Sequence, residues 1–363
     1  MKSIVFGISI ALLVVGAIWA QNVKKPEKQT FETPSITTAV NKGAKWLASV
    51  QGADGGWGQD GGETSYIRSS EHLESNGNDV ANTAVAALAL LQAGPEYRPN
   101  VDRALDFILK RVEASPADGL AVTNTTGTQI QRKLGPYIDT FLTSMLLAKV
   151  DGTFSQPARN ARIRLALEKC VAKIEHNQKA DGSWNVAGGW APILGTSMAS
   201  RSLFEAQQKG VQVADHVMAS AENYTLQSVG QVSAAPSAST VMSASAGVPL
   251  YQSAQALELL SRTEKDRKKN AKQIATINAQ LSDAKFVNGF GSIGGEEFFS
   301  YLNIGDSLSR TGGDEWKKWH SDITKKILDL QNSDGTWAGH HCITGRVAVT
   351  SAAILNLRSD RAN

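Results

Sequence analysis

Gln51-Gly52-Ala53-Asp54-Gly55-Gly56-Trp57, Gln178-Lys179-Ala180-Asp181-Gly182-Ser183-Trp184 and Gln331-Asn332-Ser333-Asp334-Gly335-Thr336-Trp337 are copies of one phrase, Gln-x-x-Asp-Gly-x-Trp. Each copy closes an amphipathic helical stretch and precedes a more apolar one, so the phrase is the hinge of a repeated helical hairpin. Its glycine supplies a turn residue free to take positive φ, where a helix stops and the chain reverses. The Gln amide, at the last helical turn, can donate to carbonyls that have lost their helical partners. The Trp offers a broad apolar face and one N–H donor, enough to pin the turn against the neighbouring hairpin.

Working outward, Asp-Gly turns at Asp54, Asp118 and Asp181 recur at intervals of 64 and 63 residues, and the 153 residues on to Asp334 hold three more such steps. The missing landmarks have degenerate substitutes in the Ser/Ala-rich stretch 228–248 and in the glycine-rich run from Gly289 to Gly295. The first helix of each unit carries one apolar stripe, as in Ile36, Val40, Leu47 and Val50, or Ile163, Leu167, Val171 and Ile174. Weaker stripes near 213–227 and 265–284 complete this outer series. The second helices are apolar nearly all round: Asp79 to Ala93, Tyr137 to Val150, Pro192 to Gln207, Pro249 to Arg262, Glu296 to Arg310 and Cys342 to Arg358. A helix of that kind is buried on both sides. The expectation is an all-α fold, an α/α toroid of six helical hairpins with inner and outer helix rings, over residues 35–358.

The repeated phrase, followed by a Thr- or Ser-bearing apolar helix, resembles the QW-type repeat of the prenyltransferase and squalene oxidase repeat superfamily. That group includes squalene-hopene cyclases, protein prenyltransferase β subunits and complement-like thioester domains. The resemblance runs from residue 35 to 358 and implies a toroid around a central cavity. It is loose about function. The Asp-x-Asp-Asp acid of the hopene-type cyclases does not occur here, nor does the Cys-Gly-Glu-Gln of the thioester domains. Protein prenyltransferases hold zinc with an Asp, a Cys two residues on and a later His. In that place this chain has Glu296 and Glu297 without the Cys, and then His340-His341-Cys342.

At 363 residues and 42% hydrophobic content the chain can bury a large core. A net charge of +3 without a concentrated basic patch argues against a nucleic-acid partner, and Lys265 to Lys272 reads as a solvated helix face. Residues 1–20 read as a signal peptide, with Lys2, an apolar run from Ile4 to Ile18 and a small Ala20 before polar Gln21. The alternative is an uncleaved N-terminal anchor, the one contact with a membrane that the sequence suggests. Residues 21–34 form a polar leader, and the expected location is exported, periplasmic or secreted. Cys170 and Cys342 fall on different hairpins and are expected to stay unpaired.

Every turn of the repeated kind joins an outer C-terminus to an inner N-terminus, so the inner N-termini gather on one rim, where free N–H groups favour anions. That rim collects Asp79, Tyr137, Asp139, Trp190, Tyr251, Glu296, Glu297, Tyr301, His340, His341, Cys342 and Arg346. Four readings compete for it. Zinc or another divalent ion could be held by His340 or His341 with Cys342 and Glu296 or Glu297; against this, the acids cap the helix and the histidines bond turn carbonyls. Asp139 with Glu296 or Glu297 could serve as an acid and base pair on a glycan, or again as caps. A hydrophobic, isoprenoid-like small molecule could lie against Phe298, Phe299, Tyr301, Met145 and Trp190, or those residues could be plain core. The toroid could instead be a non-catalytic scaffold for a protein partner. The 228–248 stretch, read as a flexible loop, would lie at the same rim as a lid or a connector.

Overall fold

Each tryptophan turn repeats one set of hydrogen bonds. Trp57, Trp184 and Trp337 donate their indole N–H to Leu47, Ile174 and Ile327, each ten residues upstream in the preceding helix, at 2.7 to 2.8 Å. Their backbone N–H groups go to the hydroxyls of Thr83, Thr196 and Thr350 on the following helix. The aspartate in each turn accepts from the backbone N–H two residues on. Gln51, Gln178 and Gln331 donate both to the turn glycine carbonyl and to a carbonyl in the first turn of the next outer helix, Asn100, Val217 and Ala39 respectively. The sequence assigned the orphaned helix-end carbonyl to Gln. It is the indole that reaches it, and Gln instead ties one hairpin to the next.

The turn glycines serve that joint as well as the reversal. Gly55 and Gly182 have φ of 88° and 89°, and a Cβ on either would lie 2.5 or 2.1 Å from the backbone oxygen of Arg103 or Ser220 on the next outer helix. Both positions therefore exclude a side chain on two independent grounds.

The computed structural model describes residues 35–62, 77–184, 192–233, 248–289 and 293–359. The signal segment, the leader and Trp190 lie outside them. From Pro34 onward the chain is one unit. It runs α1 (Ile36–Ser49) and α2 (Val80–Ala93); α3 (Arg98–Ala114), a short α4 (Gln129–Leu134) and α5 (Ile138–Val150); α6 (Pro157–His176) and α7 (Pro192–Gln208). Then come α8 (Asp215–Ser233) and α9 (Val248–Leu260); α10 (Glu264–Lys269), α11 (Ala271–Leu281), α12 (Ala284–Val287) and α13 (Gly295–Thr311); α14 (Gly313–Asp329) and α15 (Arg346–Leu357).

The inner helices pack in sequence, α2 on α5, α5 on α7, α7 on α9, α9 on α13 and α13 on α15, and α15 returns to α2. The ring is closed. Helices α1, α3, α6, α8, α11 and α14 lie outside it, each against an inner partner, and α14 meets α1 at the seam. Burial follows the two sequence patterns. Helix α1 hides one stripe, Ala39, Val40, Gly43, Ala44 and Leu47. Almost every residue of α2 is buried, and half of the buried ones are alanine, which suits close packing on both faces.

Four boundaries differ from expectation. The 265–284 helix is broken at Asn270, which leaves the helical region and caps α10. Helix α8 continues to Ser233, so the start of the Ser/Ala-rich stretch is helical backbone; its remainder, 234–247, lies outside the described residues. The sixth inner helix begins at Arg346 rather than Cys342, so His340, His341 and Cys342 sit in the loop before it. Helix α4 was not foreseen. Its signal, the Thr128-x-x-Gln131 capping box, is plain in the sequence.

The second hinge, Asp118-Gly119, lacks Gln and Trp and is held otherwise. Lys173 of α6 is buried and donates to the carbonyls of Gly119 and Ala121 at 2.9 and 3.1 Å. This ties hairpin to hairpin from the opposite side. Midway down the ring, Arg201 of α7 crosses to α13, bonding Asn303 at 2.9 Å and pairing with Asp306, while it also holds Glu205. Asn303 in turn donates to Ser197. These helices are not ring neighbours, so the polar bridge reaches past α9 from one to the other.

Candidate functional site

The inner N-termini meet on the rim that carries the tryptophan turns, as their sequence order demands. At the start of α13 both Glu296 and Glu297 are fully buried. Glu297 folds back on its own helix end, accepting from the Gly294 N–H at 2.9 Å and from the Tyr251 hydroxyl at 3.2 Å. Its acid is pushed up by burial and then by Glu296 beside it. Glu296 turns toward the loop before α15. One of its oxygens accepts from the Ile343 N–H at 3.2 Å, and Oε1 is buried with no hydrogen-bond partner among the described residues.

That loop is seated by backbone pairing, Gly295 N–H to Ile343 O at 3.0 Å and His340 N–H to Ile293 O at 2.9 Å. The pairing forces Cys342 to φ 59°, the one non-glycine residue of positive φ among those described. Such a conformation is costly for a residue with a Cβ and is kept here by the bonds on either side. It turns the thiol toward Glu296. The ligand-type atoms of Glu296, His341 and Cys342 all lie within 4.8 Å of one another. Burial, with the neighbouring Glu296 carboxylate, pushes the Cys342 thiol up to about 12, and burial also raises Glu296. His341 packs so closely on the loop that a Cβ at Gly294 would stand 2.7 Å from its ring.

The remaining expected members fall elsewhere. His340 points to solvent. Asp139 is buried in a second cluster, where it accepts from the Ala81 N–H at 3.0 Å and from Gln131 at 2.7 Å. Its close charged neighbour is Asp79, not Glu296 or Glu297. Burial raises Asp79 to about 6, and burial plus the Asp79 charge raises Asp139 to about 7. Tyr301 turns outward, bonding the Val287 carbonyl at 2.9 Å and packing edge-on against Trp319 of α14. Phe298, Phe299 and Met145 are core.

Two groups unrecognised in the sequence complete the rim. Gln129 at the start of α4 accepts from the Thr344 and Gly345 N–H groups and donates to the Thr344 hydroxyl. Asp60 in the first hairpin accepts from the Arg346 N–H at 3.0 Å. Both lock the loop holding His341 and Cys342 from residues over 200 positions away, which no local pattern signals.

The family model of the squalene-hopene cyclase C-terminal domain matches residues 24–132. Squalene-hopene cyclase of Bradyrhizobium diazoefficiens is 39% identical over 70 residues, which are 19% of this chain and 10% of that protein. Lanosterol synthase of Saccharomyces cerevisiae is 36% identical over 87 residues, 23% of this chain and 11% of that protein. The matched region holds the first tryptophan turn, and the turns at Trp184 and Trp337 reproduce its bonds. Over that matched region the chain is similar to the prenyltransferase and squalene cyclase-like repeat superfamily. This chain matches only about a tenth of the length of either cyclase, so the likeness bears on the repeat and the toroid; the chemistry of the rim has to be argued from its own residues.

Proposed function

We propose that this squalene cyclase-like toroid binds a zinc ion through Glu296, His341 and Cys342 and uses it on a hydrophobic, isoprenoid-like ligand at the rim. The observation that carries the reading is the convergence of a carboxylate, an imidazole and a thiol within 4.8 Å, with Glu296 Oε1 buried and unpartnered. A buried carboxylate oxygen without a donor is expensive, and a cation is the natural complement. Cys, His and carboxylate are together a zinc donor set, and three protein ligands leave a position open. When bound, zinc would supply a Lewis acid for a substrate or water oxygen.

The protein's own groups have definable parts. Tyr251 and the Gly294 N–H hold Glu297 to its helix end, which keeps it from competing for the ion and leaves Glu296 as the carboxylate ligand. Gln129 and Asp60 fix the loop that carries the other two ligands. The isoprenoid class rests on the relatives, which are named for squalene, hopene and lanosterol. The reading places the protein outside the cytoplasm on the strength of residues 1–20.

The test is the metal content of the purified full chain after growth with added zinc. About one zinc per chain is expected, lost in Cys342→Ser and in His341→Ala and kept in His340→Ala. Zinc that never binds, or binds equally to all four proteins, would overturn the assignment.

A further inference from the structure

At the opposite end of the ring, the last turns of α2, α5, α7 and α13 surround a cavity of about 440 Å³, within the range of small-molecule sites. Asp306 and Arg310 on its wall lie ten and fourteen residues beyond Glu296 on α13, which at the helical rise puts them roughly 15 and 21 Å from the rim site. The Arg201 bridge to Asp306 is itself part of the cavity wall.

The charges around this cavity do not balance. Lys149, Arg201, Lys209, Arg262 and Arg310 are set against Glu205, Glu258 and Asp306. Arg262 holds Glu258 with two nitrogens, the shorter contact 2.6 Å. Arg310 must share that carboxylate, which it reaches at only 3.4 Å, and its other nitrogen donates to the Glu258 backbone carbonyl at 3.5 Å. Burial, together with the neighbouring Arg201 and Arg262, destabilises its charged form. Phe204 lies beneath the two guanidiniums, 5.1 Å from Arg262 and 5.9 Å from Arg310.

The wall also carries buried acceptors with nothing to accept. Gln92 Oε1 and Glu205 Oε2 have no hydrogen-bond partner among the described residues. Cations in the last turn of a helix can serve simply to offset its negative end. That explanation covers exposed Lys149, but not the orphaned oxygens of Gln92 and Glu205 in the wall.

We infer that this cavity is a binding site for a hydroxylated organic anion. Its phosphate or carboxylate would be taken by Arg310 with Lys149 and Lys209, and its hydroxyls would donate to Gln92 and Glu205. Paired charge-assisted bonds suit a guanidinium to either oxyanion. The inference stands apart from the zinc reading, since neither site shares a residue with the other.

Calorimetric titration of the full chain with sn-glycerol 3-phosphate, glycerate and inorganic phosphate tests it. Saturable binding of glycerol 3-phosphate or of glycerate, tighter than that of inorganic phosphate, is expected, and the tighter of the two identifies the oxyanion. Arg310→Gln should weaken it about tenfold or more, the loss of a charge-assisted bond. If that variant fails to fold, the exposed pair Lys149→Gln with Lys209→Gln decides, with an affinity loss and a shallower salt dependence expected. No saturable binding by about 10 mM, binding equal to that of inorganic phosphate, or binding unchanged in the folded variants would overturn the inference and leave the cations as helix-end counter-charges.

Discussion

Gln331 donates its side-chain amide to the carbonyl oxygen of Ala39 at 2.9 Å, across 292 positions of sequence. The same nitrogen reaches Gly335 within its own turn, so one amide both shapes the last hinge and fastens it to the first helix. Gln51 and Gln178 make the equivalent joint to the following hairpin. At Gln331 the following hairpin is the first, and the joint closes the ring.

Replacing that amide by a carboxylate keeps size and removes the donor. Gln331→Glu should lower stability by about 2 to 3 kcal/mol, since two carbonyls lose a donor and face a negative charge. Urea unfolding followed by circular dichroism measures it, and an unchanged midpoint would show that the seam is held by packing alone.

The buried pair Asp79 and Asp139 should impose a pH dependence. Both carboxyls are raised in the fold, to about 6 and about 7, so between pH 4 and 7 the folded chain keeps protons that the unfolded chain has released. Their contribution is fully present below the unfolded carboxyl pKa and is lost as pH rises through 6 and 7. Asp139→Asn cannot ionise. After a constant offset for its altered bond to Gln131, its stability relative to the parent should rise across that window, as urea midpoints at pH 5 and 7.5 will register.

The bridge across the ring should be unforgiving of half-removal. Arg201→Met strands the buried carboxylates of Asp306 and Glu205, at a cost of about 3 to 5 kcal/mol. Adding Asp306→Asn should recover a measurable part of the loss. A double variant no more stable than the single one would place the cost in lost packing rather than charge.

Gly294→Ala tests how the loop positions His341. The added methyl would stand 2.7 Å from the imidazole and 2.9 Å from the His341 carbonyl, both closer than contact allows, so the ring must move. Zinc affinity should fall about tenfold or more while far-ultraviolet circular dichroism stays the same. A competitive chelator titration reads the affinity, and an undiminished value would remove His341 from the ligand set.

Much of the fold is legible residue by residue. The hinge chemistry and the contrast between one-stripe and all-round apolar helices are local properties, and local geometry of turns and helix faces follows from them directly. The rim is less legible. Glu296 and Cys342 are 46 positions apart, and their approach depends on Cys342 leaving the helical region. That in turn depends on backbone pairing of 293–295 with 340–343, which carries no composition signature. Asp139 reads as one more rim carboxylate, yet it sits with Asp79 because α5 packs on α2, where the Ala81 N–H and Gln131 of α4 both bond it.

Turn residues and hydrophobic period, properties of short segments, sufficed to dictate hairpins, their number and the rim on which the hinges gather. Closure of the ring, the Arg201 bridge from α7 to α13, and the choice of which acids, imidazoles and guanidiniums meet were decided by folding. Those contacts join residues tens to hundreds of positions apart, and their partners are selected by burial and by the cost of leaving a buried charge or donor unpaired, conditions that exist only once the chain is packed.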